Sequence, residues 1–129
     1  MDKHPWVQGI DAAITVCDRT GIILEMNDRA IQSFASDGGA ALIGTNVLDC
    51  HPEPARSKLS RLMLAAQTNV YTIQKHGVKK LIYQAPWYQD GEYCGFIEIS
   101  FAIPAEMLHF DRDRPGVANN DPVESDRKG

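Results

Sequence analysis

The sequence predicts an α+β protein, a five-stranded antiparallel sheet with helices packed on one face. Two short β-branched runs come first, a helical middle follows, and three longer strand-like runs come after it. Strands joined by short turns pair antiparallel, and the strand–helix alternation typical of a parallel sheet is missing. The Asp90-Gly91 pair, a strong hairpin signal, supports this order.

The first hairpin is predicted from residues 12–17 and 22–26. Both runs are rich in β-branched residues, and the Asp18-Arg19-Thr20-Gly21 segment between them suits a tight turn. The two-residue period of a strand should place two pairs of side chains on common faces, Ile14 with Val16 and Leu24 with Met26.

A helix of about two turns should follow, because Asn27 can cap free backbone N–H groups and Ala30, Ile31 and Phe34 recur at helical spacing behind it. Asp37-Gly38-Gly39 should end this helix. Residues 40–49 are expected to mix short helical turns with loop.

A longer amphipathic helix is predicted to begin at Pro54. The residue before a proline avoids the α region, and both His51 and Glu53 precede one. Proline is well tolerated at the first helical position. The expected buried face consists of Ala55, Leu59, Leu62, Met63 and Ala66, and the charged face of Arg56, Lys58 and Arg61.

Three further strands are predicted over residues 70–74, 80–88 and 93–103, with a bulge or break near Pro86 because proline removes a ladder N–H. In the last strand Ile97, Ile99, Phe101 and Ile103 alternate with Phe96, Glu98, Ser100 and Ala102. The first set should form the buried face. Glu98 is then expected to face solvent or a dimer partner.

Length and composition indicate one ordinary globular domain of 129 residues. We expect an N-terminal arm at residues 1–9, a folded domain at 10–104, and a polar, disordered tail at 105–129. The net charge of −4, without a basic stripe, argues against nucleic acid as a partner. No apolar run approaches the roughly 18 residues of a membrane span, so no membrane association is expected.

Three cysteines at wide spacing, Cys17, Cys50 and Cys94, predict reduced thiols in the cytoplasm. The four histidines stand far apart in sequence, so no metal site is predicted. Cys50 and His51 are adjacent, but neighbouring side chains in an extended segment point apart, so no catalytic pair is predicted either.

Five features together resemble a PAS (Per-Arnt-Sim) sensor domain over residues 7–103. They are the turn at residues 18–21, the helix start at 27–30, Leu42-Ile43-Gly44 before the long helix, Asp90-Gly91-Glu92 in the last hairpin, and Gly95. Cys50-His51-Pro52 further resembles a subset of bacterial PAS modules. The resemblance implies a signalling module, often homodimeric, with a pocket between sheet and helices and no catalytic activity.

The pocket position and the residue types together suggest the candidate ligand-binding residues. Flat aromatic rings, apolar helix residues and a few polar tips such as Asn46, Gln84 or Tyr83 would hold a small, partly apolar molecule. The candidates are Asn46, Cys50, His51, Leu59, Leu62, Met63, Tyr71, Tyr83, Ile97 and Ile99. No catalytic residue is among them.

The cofactor is not defined by the sequence. The flavin photosensors of the PAS family have their reactive cysteine directly after an asparagine, and here Val47 follows Asn46, which argues against flavin. The photoactive-yellow-protein type needs a tyrosine and a glutamate where this chain has Met26 and Ala30. Haem remains an alternative, because His51 stands just before the long helix that carries the haem ligand in related domains.

We therefore expect a stand-alone sensory domain that binds a small molecule or a protein partner and signals through homodimer or partner contacts. One alternative is a haem or redox sensor that uses Cys50 and His51. Another is an interaction scaffold with no ligand.

Overall fold

A computed structural model describes residues 4–113. Its helices are α1 (Pro5–Gly9), α2 (Asp28–Ser33) and α3 (Ala55–Ala65), and short 3-10 turns cover Ala35–Asp37, Gly39–Leu42 and Val47–Cys50. Its strands are β1 (Ala13–Asp18), β2 (Ile23–Met26), β3 (Asn69–Lys75), β4 (Val78–Gln89) and β5 (Glu92–Ala102). The part of the predicted tail beyond residue 113 lies outside the described residues.

All five strands form one sheet in the order β2-β1-β5-β4-β3, and every neighbouring pair is antiparallel. The predicted fold class is therefore confirmed. Within residues 4–113, no helix has the length and apolar character needed to cross a membrane.

Asp18 builds the first turn. Its Oδ1 accepts hydrogen bonds from the Thr20 backbone N–H at 2.9 Å, the Thr20 hydroxyl at 2.8 Å and the Ile22 N–H at 3.0 Å. A side chain that bonds its own turn in this way replaces the water that free N–H groups would need. The predicted hairpin turn is confirmed.

The second strand departs from the predicted alternation. Met26 lies opposite Thr15, but Ile23 lies opposite Cys17, so one extra residue is accommodated between them. Ile23 and Met26 are buried, whereas Leu24 is 44% exposed. The prediction that Leu24 and Met26 share a face is wrong, because the bulge shifts the alternation by one residue.

Asn27 starts α2 as predicted, and its fully buried side chain also bonds α1 and the start of β1. Its Oδ1 accepts from the N–H groups of Ala30 and Ile14, and its Nδ2 donates to the carbonyl oxygens of Val7 and Ala12. Residues 5–9 therefore form a helix docked on Asn27 rather than a loose arm.

Helix α3 begins at Ala55 with Pro54 as its N-cap residue, one position later than predicted. The predicted apolar face is confirmed at its centre, where Leu59, Leu62 and Met63 are buried against Cys17 and Phe96. The Tyr93 hydroxyl donates to the Met63 carbonyl oxygen at 2.6 Å. These contacts hold one end of α3 on the sheet.

The face of β5 that meets the helices is the opposite of the predicted one. Phe96 packs under α3, and Glu98 lies beside Thr15 and Gln84 on the same side. Alternation therefore directs Ile97, Ile99 and Phe101 to the outer face. β4 runs without a break through Pro86, and its irregularity falls between Trp87 and Tyr88.

Candidate functional site

A narrow cavity of about 50 Å³ lies between the sheet and the helical layer. Ile23, Met26, Phe34, Leu42 and Val47 form its apolar part, and Thr15, Cys50, His51 and Glu98 complete the lining. A second cavity of about 30 Å³ lies beside it, under Leu59 and Met63. Thr15, Val47 and Glu98 line both cavities, which therefore adjoin.

Wider grooves open on the β3 side, where the helices leave the sheet uncovered. One, of about 550 Å³, follows β3 and β4 and is bordered by Phe34, Tyr71, Lys80 and Ser100. Another, of about 230 Å³, separates α3 from Asn69, Tyr71 and Gln84. Both grooves reach His51, which also lines the narrow cavity. Together these spaces form a cleft between sheet and helices.

The floor of the cleft carries a row of hydrogen-bonded polar side chains, one from each of three adjacent strands. The strand register places Asn69 opposite Gln84, and Gln84 opposite Glu98. The Asn69 Nδ2 donates to the Gln84 Oε1 at 3.1 Å, and the Gln84 Nε2 donates to the Glu98 Oε1 at 3.0 Å. We call these three residues the polar row.

Tyr71 stands next to this row on β3, on the same face. Removal from water raises the pKa of its phenol, and the negative charge of Glu98 raises it further. The phenol is therefore a neutral hydrogen-bond donor and acceptor at physiological pH.

The His51 ring is held in a defined orientation at the other wall of the cleft. Its Nδ1 lies 2.8 Å from the carbonyl oxygen of Val47. Because a carbonyl oxygen only accepts, Nδ1 carries the proton, and in the neutral ring Nε2 keeps its lone pair. His51 thus offers a positioned acceptor to the cleft.

The Cys50 thiol is not set up as a nucleophile. Desolvation raises its pKa, and the negative charges of Asp37 and Asp49 raise it further. An activated cysteine needs the opposite environment, with a cation or helix N-terminus that favours the thiolate. Within residues 4–113, no group of three or more His, Cys, Asp or Glu side chains could hold a metal ion.

Six of the ten candidate residues lie on α3, just before it or on the helix-facing side of β3, and they come together around the cleft. They are Cys50, His51, Leu59, Leu62, Met63 and Tyr71. Asn46 lies elsewhere, where its Oδ1 accepts from Leu48 N–H and its Nδ2 donates to the Thr20 carbonyl oxygen. Its role in the structure is to cap a turn.

The other three candidates belong to the outer side of the sheet. Tyr83 pairs with Ile99 across β4 and β5, and Ile97 pairs with Val16, so all of them alternate away from the polar row. Ile97 adds to the lining of the smaller cavity beside Phe96. The expectation that Tyr83 and Ile99 face the helices is wrong.

Of the polar row, sequence reasoning considered only Gln84, as one polar tip of a ligand site, and missed Asn69 and Glu98. Glu98 was expected to face solvent or a dimer partner, yet it lines both cavities. The available signal was polar residues at alternate positions of otherwise apolar strands, Gln84 in β4 and Glu98 with Ser100 in β5. Such residues indicate a solvated or a ligand-facing side, and the strand pattern alone does not distinguish the two.

Comparison with known proteins identifies the fold. No family model matches the chain, and no curated protein matches it. Among solved structures, the PAS domain of BvgS from Bordetella pertussis is similar with a TM-score of 0.58 at 18% identity, covering 80% of this chain and 85% of that one. A C-terminal domain from Streptococcus mutans has a TM-score of 0.65 at 18% identity, covering 78% and 81%.

A third similar structure is the Aer2 receptor of Vibrio cholerae, described as a dual PAS-haem oxygen sensor. Its TM-score is 0.53 at 22% identity, and the match covers 76% of this chain and 99% of that one. At these identities the comparison establishes the fold. The chain has the PAS fold, as the sequence predicted, and this fold is found in sensory proteins.

Haem can be tested against the residues of the cleft. His51 supplies a suitable donor, with Nδ1 engaged by a backbone carbonyl and Nε2 left for a ligand. The narrow cavity of about 50 Å³ is far smaller than the roughly 300–1,000 Å³ typical of sites for larger ligands. The open groove along β3 and β4, of about 550 Å³, has that volume, and Glu98, Lys80 and Ser100 make part of its lining polar. The donor fits haem, whereas the shape of the narrow cavity does not.

Proposed function

We propose that this domain is a sensor that binds a small molecule in the cleft and signals through homodimer or partner contacts. The observation that carries the proposal is the polar row, a set of aligned hydrogen-bonding groups on a sheet face that the helices cover only in part. A few convergent polar groups beside apolar walls are typical of a ligand site.

Burying the polar row costs free energy of folding unless every polar group in it has a hydrogen-bond partner. Gln84 is only 6% exposed, yet it occupies a position that an apolar side chain could fill. An interaction scaffold with a filled core would favour apolar residues there. This contrast supports the ligand-binding hypothesis over the scaffold.

Helix α3 is the element best placed to respond to a ligand. Leu59 and Met63 pack on the sheet, and Tyr93 bonds the Met63 carbonyl oxygen. Ala55, at the N-terminal end of α3, lines the groove together with Leu59, opposite Asn69 and Tyr71. A ligand that binds one α3 position more tightly would shift the population towards that position.

The outer face of the sheet supports contact with a second copy or a partner. Leu24 is 44% exposed, Tyr83 38% and Val70 51%, and the register places Tyr83 beside Ile99. An exposed apolar sheet face often marks an interface. The outer face and the cleft are formed by the same strands, so a structural change in the cleft can be transmitted to the outer face.

Native mass spectrometry of Ala55→Trp and Ala65→Trp variants tests the ligand proposal. Ala55 lines the groove between α3 and the sheet, so tryptophan there should block it, whereas Ala65 is exposed on the same helix and borders none of the spaces described above. We expect an added ligand mass in the wild type and Ala65→Trp but not in Ala55→Trp. A wild type that carries no ligand and binds none from a compound library would favour the scaffold.

A haem sensor is the second candidate, favoured by the hydrogen bond that orients His51. Haem titration should then give a Soret band that is lost in His51→Ala and kept in His4→Ala, because His4 is exposed and borders none of the spaces described above. A protein that stays colourless after titration would remove this candidate.

The raised pKa of Cys50 disfavours its thiolate, so we assign this cysteine no nucleophilic role, and we propose that the domain has no catalytic activity of its own. We place the domain in the cytoplasm, and its three free thiols support a reducing compartment.

A further inference from the structure

Glu98 is a half-buried carboxylate for which residues 4–113 supply no cationic partner. Its Oε1 accepts one hydrogen bond, from Gln84, and no lysine, arginine or histidine in residues 4–113 forms an ion pair with it. The two ion pairs described are elsewhere, at Arg29–Asp11 and Arg56–Asp49. A charge that is partly removed from water and left unpaired raises the free energy of the folded state.

Glu98 acts as an acceptor in the polar row. A carboxylate can only accept, so Gln84 must present its amide N–H₂ to Glu98 and its oxygen to Asn69. Both hydrogen bonds therefore run in one direction, with Glu98 as the final acceptor. A neutral donor at one oxygen leaves most of the negative charge uncompensated.

We propose that Glu98 binds the cationic nitrogen of a small organic amine. This inference rests on the proposed function, because the amine would occupy the same cleft. The ammonium group would donate to the carboxylate and complete the row, giving the charge a partner that residues 4–113 do not supply.

The surroundings of Glu98 define the rest of the ligand. The narrow cavity at its side is lined by Ile23, Met26, Leu42 and Val47, which suit a short alkyl group. Its volume of about 50 Å³ admits only a few carbon atoms. A longer ligand could extend into the groove along β3, so the predicted class is an ammonium joined to a compact apolar body.

NMR titration of the full chain at pH 7 with butylamine and 1-butanol tests the inference. The two probes have nearly the same shape, but only butylamine is a cation. Because a hydrogen bond to a charged group is stronger than a neutral one, we expect butylamine to bind about tenfold or more tightly than 1-butanol. Glu98→Gln should abolish that preference and Glu98→Asp should keep part of it.

Glu92→Gln is the matched control, because Glu92 lies at the exposed start of the same strand. It should leave the preference unchanged. Equal binding of both probes, with chemical-shift changes confined to residues that line the cleft, would overturn the amine inference and support the ligand site. No binding of either probe would overturn the inference, and the native mass measurement would then decide the proposed function independently.

Discussion

The side chain of Gln84 donates to Glu98 at 3.0 Å on the face of the sheet that meets α3. The two residues lie directly opposite each other on β4 and β5, so the bond follows from strand register. It makes the helix-facing side of the sheet polar at its centre and leaves the aliphatic residues of β5 on the outer side. The molecule thus has two different surfaces on one sheet, a polar cleft and an apolar outer face.

Replacing Gln84 by leucine should destabilise the fold by about 1–3 kcal/mol, because Glu98 and Asn69 would both lose a hydrogen-bond partner in a partly buried site. Urea denaturation gives the free energy of unfolding. Gln74→Leu is the control, since Gln74 is exposed on the other face of β3. Equal stability of the two variants would mean that the polar row contributes nothing to folding.

Replacing Asn27 by alanine should lower the free energy of unfolding by about 2–4 kcal/mol. The variant would lose the buried N-cap of α2 and would leave two backbone carbonyl oxygens without their donor. Asn27→Ser keeps a capping oxygen but lacks the donors to Val7 and Ala12, so its loss should be intermediate. Thermal and urea unfolding of the three proteins would show this order. A serine variant as stable as the wild type would exclude a role for the two donors.

Much of the fold was predictable because its signals are local. Asn27 marked the start of α2, Asp18 marked the first turn, and the two prolines placed the start of α3 within one residue. Each signal acts through the residue's own backbone or its near neighbours in sequence. Because these local signals gave the order of the strands and helices, the fold class could be predicted from that order.

The orientation of the sheet was not predictable in the same way. Alternation in β5 shows that Ile97 and Ile99 share a face, but it does not show which face packs on the helices. That choice depends on Phe96 meeting Leu59 and Met63, a contact between residues distant in sequence. The apolar set was assigned to the interior, and the site residues on that strand were therefore placed on the wrong side.

Asp18 should make the stability of the domain depend on pH. The pKa of this carboxyl lies below its ordinary value of 3.8. The main cause is the hydrogen bond from the Thr20 hydroxyl, and hydrogen bonds from backbone N–H groups of the turn add to it. The folded state binds the Asp18 proton less tightly than the unfolded chain does. The carboxylate's contribution to stability is therefore complete above about pH 3.8, and it is lost as the pH falls through the pKa of the folded state. The stability difference between wild type and Asp18→Ala should therefore shrink on acidification. A difference that stays constant from pH 6 to pH 3 would contradict this role.

Gly95 should not tolerate a side chain. A Cβ at this position would overlap the Cys17 carbonyl oxygen and lie 2.8 Å from the Cα of Asp18. The same carbonyl oxygen accepts from the Trp87 Nε1 at 3.0 Å, so β1 cannot move away without breaking that bond. Gly95→Ala should lose at least about 2 kcal/mol in urea denaturation. Gly9→Ala, with no atom near the added methyl group, should be close to neutral, and equal losses would show that the close approach is unimportant.

The outer face provides the test of the homodimer. Leu24 and Tyr83 are 44% and 38% exposed, so Leu24→Glu and Tyr83→Glu place charges on the proposed interface with little effect on the core. If two copies meet through this face, each charge must be desolvated on association, and both variants should shift the protein towards monomer. Sedimentation equilibrium over a range of concentrations measures the shift. Leu64→Glu, at an 85% exposed position on α3, should leave the association constant unchanged. A wild type that stays monomeric at the highest concentration, or a loss of association only in Leu64→Glu, would move the interface away from the sheet.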